Sequence, residues 1–592
     1  MRNCGVRLIA SVLRCLIPLL ILPSLLLAQT LPSAGSSPNQ KPFSAGAAAL
    51  QRGDLPSARA AFEEAVRLSP RDPRAHNALG LVLLAQNDAP GAIAQFQAAL
   101  RFKPSFASAH MNLSNALLQA RDPQGAIREA KAAVGLAPGD PDAHLALARA
   151  LDASSNLSES VASIRRALDL APSRADLHDG LGSLLARQDD SSGAIAEFQK
   201  AVQMNPRLAS AHLHLGVLLF EQRQFESAEA HLALATELDS RNYLALNYLG
   251  RTYRELGTLP EAISAFQSSL KLQPAQPDAL ILLGQALQRV GNPADAAAAF
   301  RELLRLQPQD SEAHNNLGLA LLQSGDGDGA IAAFRAALSL RPGDTGYQGN
   351  LGAAYLQKAD FAAALSEFRA AIARDPRNQS LHYNLGLALK LQDKLPEAVA
   401  ELRSAEALDR SQPDAPYTLG VTLWQMGDLD AAVAELRNAI TAKPDYAEAF
   451  YTLGTVLKQQ SKLQESATAL HEAIRLAPDF AGAHTTLAAV LRQLGDTDAA
   501  ASEARLGADL ARQKTDLQAA LFATNSGRRL RNVGDLDGAI SQFRAAIHSV
   551  ADYAPAHFEL AIALRQSGKK EEAAAEFQKA RALDPKLVPP QP

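Results

Sequence analysis

Proline recurs every 34 residues along most of this chain: Pro70, Pro104, Pro138, Pro172 and Pro206, then Pro274, Pro308, Pro342 and Pro376, then Pro444 and Pro478. Ser240 and Arg410 fill the skipped places in register. A fixed period of this length restricts a chain to an array of small supersecondary units. None can bury its apolar face alone, so neighbours must supply each other's core. The roughly four independent domains that a chain of 592 residues would otherwise suggest are replaced by one quasi-linear array.

If each unit ends two residues after the proline, fourteen units run in unbroken register from residue 39 to 514. Five extra residues (515–519) follow, then two more units over 520–587 and a tail, 588–592. Other positions keep the same period. Position 8 is Gly in twelve of the sixteen units, for example Gly46, Gly80 and Gly352, and position 20 is Ala or Ser throughout. Position 24 is Phe in nine units, among them Phe62, Phe96 and Phe266. Leu79, Gly80 and Leu83 share one face of a first helix, and Ala92, Phe96 and Ala99 share one face of a second. The pattern predicts a helical hairpin whose backbones approach at the small residues, with Phe filling the space beside them. Gly53-Asp54, Gly427-Asp428, Gly495-Asp496 and Gly534-Asp535 supply a left-handed stop and a helix cap between the two helices. Asp72-Pro73 and Asp140-Pro141 mark the start of new hairpins.

Leu at 7, Gly at 8, Ala at 20, Phe at 24, Ala at 27 and Pro at 32 resemble the tetratricopeptide repeat. The resemblance covers residues 39 to 587. It implies an all-α fold, a right-handed α-solenoid superhelix of about sixteen helix-turn-helix units whose first helices line a concave groove. One departure is position 4, where the family often has Trp. Here it is mostly His: His76, His110, His144, His178, His212, His314, His382, His484 and His557.

The first 28 residues read differently. Arg2, Arg7 and Arg14 precede an uncharged apolar run from Cys15 to Leu27, with Ala28 as a small residue for cleavage. We expect a secretory signal peptide over 1–28 and a Ser/Pro/Gly-rich linker over 29–38. The chain is then exported, periplasmic or secreted; an uncleaved N-terminal membrane anchor is the alternative. Cleavage would remove three of the 58 basic residues and both cysteines, Cys4 and Cys15, shifting the net charge from −4 to −7. Stability would then rest on packing without disulfides. Acids and bases are interspersed, so no footprint for nucleic acid is present.

The repeats leave no stretch long enough for a catalytic domain, and there is no phosphate-binding loop, nucleophile elbow or CxxC. We expect no enzymatic activity, no cofactor and no metal. The histidines are expected to pack between helices, since ligands on successive hairpins stand about 10 Å apart, too far to share an ion at about 2 Å. Gly325-Asp326-Gly327-Asp328-Gly329 resembles the start of a calcium loop, but it falls on an interhelical turn and lacks the later ligands.

The groove is therefore the candidate site. Position 6 in six consecutive units is Asn316, Asn350, Asn384, Thr418, Thr452 and Thr486. This row is similar to the asparagine ladder in the repeats of O-linked N-acetylglucosamine transferases. That likeness implies that the amides hold a peptide main chain, since an amide offers donor and acceptor together. Tyr383, Tyr417 and Tyr451 at position 5, with Trp424 nearby, form an aromatic row with polar tips, common on binding surfaces. The expected partner is a protein or peptide segment. A clamp for an acidic chaperone tail is not expected, because no unit has Lys at position 5, only Asn115 supplies Asn at position 9, and no Arg or Lys occupies position 6. We expect a scaffold that helps assemble an envelope complex. A carbohydrate-handling adaptor of a periplasmic polysaccharide export system is the alternative. The five inserted residues predict a longer helix that separates a 14-unit arm from a 2-unit module.

Overall fold

The computed structural model describes residues 40–587. The expected signal peptide, the linker, both cysteines and the tail lie outside the described residues. Within them thirty-one α-helices follow one another and there is no strand. They run from α1 (Gln40–Gln51) to α31 (Lys570–Leu583), pairing as helical hairpins. The chain divides into two compact units, one up to Ser324 and one from Gly325. Each is a stack of hairpins.

One residue sets the turn inside every hairpin. Position 15 has a positive φ in all sixteen repeats, from Gly53 at 77° to Gly568 at 83°. Eight of these residues are Gly, which reaches this region without a Cβ clash. Arg121, Arg223 and Ala359 reach it at a cost in strain. The next residue is commonly Asp, whose carboxylate accepts the orphan N–H three residues on: Asp88 from Gly91, Asp190 from Gly193, Asp326 from Gly329. Asp326 is thus a helix cap, and Asp328 pairs with Lys358.

Hairpins close where position 8 meets position 24. A methyl group added at Gly80 would lie 2.6 Å from the Phe96 ring, and one at Gly352 would lie 2.6 Å from Phe368. Those distances forbid a side chain at Gly80 or Gly352 without displacement of the ring. Four repeats lack Gly at position 8: Ser114, Ala148 and Ala488 go with the smaller Ala130, Ile164 and Ala504 at position 24, while in the last repeat Ala561 goes with Phe577, which is only half-buried. Where position 20 is Ser, its hydroxyl donates to the position 8 carbonyl, as Ser160 does to Ala148 and Ser466 to Gly454.

The position 4 histidines tie hairpin to hairpin. In all nine, Nε2 lies 2.8–3.1 Å from the carbonyl oxygen six residues earlier, which belongs to the repeat's proline in eight cases and to Ala551 before His557. The other nitrogen faces position 23 of the second helix: Glu129, Glu197, Glu401, Glu503 and Glu576 oppose His110, His178, His382, His484 and His557. A ring at this place thus binds both the turn and the second helix, the interhelical packing role expected of it.

One junction departs from the rest. A single helix, Thr497–Asn532, runs for 36 residues through the place where a turn separates all other consecutive repeats.

Candidate functional site

In the unit from Gly325, first helices of consecutive hairpins lie side by side: α19 (Thr345–Gln357), α21 (Gln379–Leu391), α23 (Asp414–Gln425), α25 (Ala447–Gln459) and α27 (Ala481–Leu494). Positions 5, 6, 12 and 13 of these helices build one face. Tyr383, Tyr417 and Tyr451 are half-buried on it, each resting on the core of its stack. Trp424 bridges two hairpins, its Nε1–H donating to Gln459 Oε1 at 2.7 Å.

The position 6 row does not present six equivalent polar groups. Asn384 and Thr486 are half-buried on the face, as is Asn350. Thr418 and Thr452 are buried. The Thr452 hydroxyl donates to its own helix at Glu448 O, 2.8 Å away, and sits 3.5 Å from the Tyr417 hydroxyl. Asn316 is half-buried on the last helix of the preceding unit, α17 (Ser311–Gln323).

Two aromatic residues complete the row without having been singled out in the sequence. Tyr446 stands 5.0 Å, ring to ring, from Tyr417, and Phe480 stands 4.7 Å from Tyr451. Both occupy position 34, the residue just before a hairpin begins. Two successive aromatics at that position were the available signal. Burial, reinforced by Tyr417 and Asp414, raises the pKa of the Tyr446 hydroxyl well above the ordinary tyrosine value, so it stays a neutral hydrogen-bonding group. Lys390 lies on the same face at position 12, and burial draws its pKa down.

The corresponding face of the unit up to Ser324 is polar and largely self-paired. Arg174 bridges Asp142 and Asp176, both at 2.6 Å, and Arg187 pairs with Asp152. Asp179 accepts from Ser210 at 2.8 Å and faces His214 Nδ1 at 2.7 Å. Asn112 donates to Asn77 at 2.9 Å. Arg149 sits among these groups with Nε unpartnered, and its burial lowers the guanidinium pKa against the pull of Asp176 and Asp142. Among the described residues no group of three or more His, Cys, Asp or Glu side chains could hold a metal ion, and no helix is long and apolar enough to cross a membrane.

Hairpins of this length, joined by a left-handed turn residue and closed by a small residue under a larger one, define a helical repeat solenoid in which first helices of consecutive hairpins lie side by side. Tetratricopeptide repeat profiles match residues 43–107, 91–141, 111–175, 145–210, 180–242, 213–277, 281–345, 350–416, 451–514 and 524–587, with related profiles over 321–378 and 422–461. The chain belongs to the tetratricopeptide repeat family. No curated protein sequence matches it. Among solved structures it is similar to the APC/C hetero-tetramer Cut9–Hcn1, at 15% identity over 92% of this chain and 99% of that one, TM-score 0.35. It is also similar to YrrB, described as a tetratricopeptide repeat protein with an unusual peptide-binding site, at 27% identity over 31% and 95%, TM-score 0.30. A third is MamA from Desulfovibrio magneticus RS-1, at 24% identity over 30% and 99%, TM-score 0.27.

Proposed function

We propose that this protein is an exported, non-enzymatic scaffold that holds an extended protein segment along the first-helix face of residues 345–494 and helps assemble an envelope complex. The observation that carries this reading is the aromatic row: Tyr383, the pairs Tyr417–Tyr446 and Tyr451–Phe480, and Trp424, all half-buried on one face. Rigid rings held by the core expose apolar surface with little conformational entropy left to lose on binding. Asn350, Asn384 and Thr486 add polar side chains along the same helices, in the manner of the asparagine ladder of the O-linked N-acetylglucosamine transferases.

The test is photo-crosslinking in the cells that make the protein, with p-benzoylphenylalanine at Tyr383, Tyr417 or Tyr451, and at Arg437 and Arg475 on second helices as controls. We expect one discrete adduct from the tyrosine positions, weakened at Tyr383 when Tyr417→Ala and Tyr451→Ala are combined. Equal adducts from all five positions would remove the face from consideration. N-terminal sequencing of the purified protein tests export: the expected first residue is Gln29.

The same rings favour a second reading, stacking on sugars in a polysaccharide export system. Affinity electrophoresis through neutral and acidic polysaccharides separates the two. Retardation abolished by Tyr417→Ala with Tyr451→Ala supports the carbohydrate reading, and unchanged mobility rejects it.

A further inference from the structure

In four consecutive repeats of the aromatic face, position 12 is Lys390 on α21, Trp424 on α23, Lys458 on α25 and Arg492 on α27, each near the end of its helix. Lys390 and Lys458 are half-buried and Arg492 is exposed. Among the described residues no ion pair or hydrogen bond reaches any of the three cationic heads, and no carboxylate offsets the burial of Lys390. Elsewhere every charged residue at this position is engaged. Asp152 pairs with Arg187, Arg254 with Glu255 and Arg531 with Glu559, and Arg565 lies over the Phe577 ring, 5.5 Å from its centroid. The dipole of a helix favours a cation at its end, which accounts for the charge but not for the missing partners.

Second helices of the same unit do pair their cations: Arg369 meets Glu397, Arg437 meets Glu465 and Arg475 meets Glu472. The face itself is polarised. Asp414 and Glu448, at position 2, stand on its opposite edge, also without an ion pair. Ten residues separate positions 2 and 12, about 15 Å along a helix. Physiological salt screens charges beyond roughly 8 Å, so these carboxylates do not neutralise the cationic edge. A half-buried ammonium group without a counter-ion gains most from a carboxylate brought by a ligand.

We propose that the segment held on this face is an acidic one in an extended, polyproline II-like conformation, its carboxylates turned to Lys390, Lys458 and Arg492. The inference rests on the segment-binding reading given above. Adjacent helices pack about 8–10 Å apart. A polyproline II chain repeats every three residues, about 9 Å, so one side of it meets the same position of each successive hairpin. Lys390 and Lys458 are two hairpins apart, and Lys458 and Arg492 are one apart. The acidic residues of the segment therefore stand roughly six and then three residues apart, with an uncharged residue over Trp424 between the first two. The tyrosine row supports the remaining side chains. Asn384 and Thr486, on the same helices, offer the paired donor and acceptor that a peptide main chain takes, which favours a protein over an acidic polysaccharide.

The experiment has two arms. In the first, the purified protein is titrated into labelled peptides of repeated Glu-Pro-Pro, Gln-Pro-Pro or Lys-Pro-Pro at low ionic strength, read by fluorescence anisotropy. We expect the Glu peptide to bind at least about tenfold more tightly than the Gln peptide. Lys390→Gln, Lys458→Gln and Arg492→Gln together should remove that preference with unchanged helical circular dichroism and unchanged affinity for the Gln peptide, whereas Lys390→Arg with Lys458→Arg should keep it. Reversal to Glu at all three positions should turn the preference to the Lys peptide. In the second arm, p-benzoylphenylalanine at Tyr383 reports on the partner in the cells that make the protein, and the same charge reversal should abolish the adduct. Equal affinity for the Glu and Gln peptides, lost with Tyr417→Ala and Tyr451→Ala, would overturn the acidic assignment and leave segment binding standing, as would an adduct that survives charge reversal. No peptide bound and no discrete adduct from the parent chain would remove both. A polyuronate retained through the three cations when the Glu peptide is not would give this edge to carbohydrate and also defeat the proposal.

Discussion

Ala359 holds a φ of 58° at a turn where half of the repeats have Gly. A left-handed residue costs about 1–2 kcal/mol against about 0.5–1 kcal/mol of glycine entropy. Ala359→Gly should therefore stabilise its hairpin by up to about 1 kcal/mol, seen as slower hydrogen exchange in residues 345–374. A second residue-scale prediction concerns acid. Burial pushes the Glu197 carboxyl up, but hydrogen bonds from Lys200 and His178 outweigh it and hold its pKa below the ordinary 4.5. A lowered carboxylate pKa contributes stability that is present above about pH 4.5 and lost as pH falls through the folded value. Glu197→Gln should lower the melting temperature at pH 7 and narrow its difference from the parent below pH 4, by calorimetry. The role of His178 was legible as packing from its period, but its two partners were not. The register places the ring between helices without saying which carbonyl and which carboxylate converge there.

The hairpin is the element in which sequence and packing agree most closely. Gly80 and Phe96 form an interlocking pair, and repeat 3 carries the alternative pair Ser114 and Ala130, with the Ser114 hydroxyl donating to Ala126 O at 2.9 Å. Gly80→Ser alone forces its side chain into the ring and should cost about 1–3 kcal/mol. Phe96→Ala alone should cost about 3–5 kcal/mol through the cavity it leaves. Together they should cost less than the sum of the two, with a coupling of at least about 1 kcal/mol in a double-mutant cycle by urea unfolding. Strict additivity would show that the pair does not interlock. The aromatic row was only partly legible at this scale. Tyr417 and Tyr451 belong to a visible column, whereas Tyr446 and Phe480 stand in turns, and only the chain's path over the turn brings their rings against the column. Thr418 and Thr452 read as equals of Asn384 by position. Both are shorter and buried, and the Thr452 hydroxyl lies against that of Tyr417, so burial separates them from the asparagines.

Across the whole molecule each hairpin touches mainly its neighbours, so stability is a sum of local terms rather than one cooperative transition. Leu232, fully buried at position 24, contacts the Gly216 helix and the core of residues 148–249. Leu232→Ala should cost about 2–5 kcal/mol locally. Hydrogen exchange should accelerate over about residues 175–272 while the unit from Gly325 keeps its protection. Uniform acceleration from residue 40 to 587 would contradict a nearest-neighbour array.

What the sequence determined by itself was the repeat: its length, its helical hairpins, the small-over-large contact at positions 8 and 24, and the place where five residues interrupt the register. These follow from local chemistry, because turn conformation, capping and the apolar period each lie within one 34-residue unit. Tertiary structure alone decided which side chains of the first-helix face stay accessible, that Arg174 and Asp179 are already partnered, and that Lys390, Lys458 and Arg492 are not. Exposure at any one position is set by residues a full repeat away on the neighbouring hairpin, and a periodic pattern assigns a face without saying what covers it.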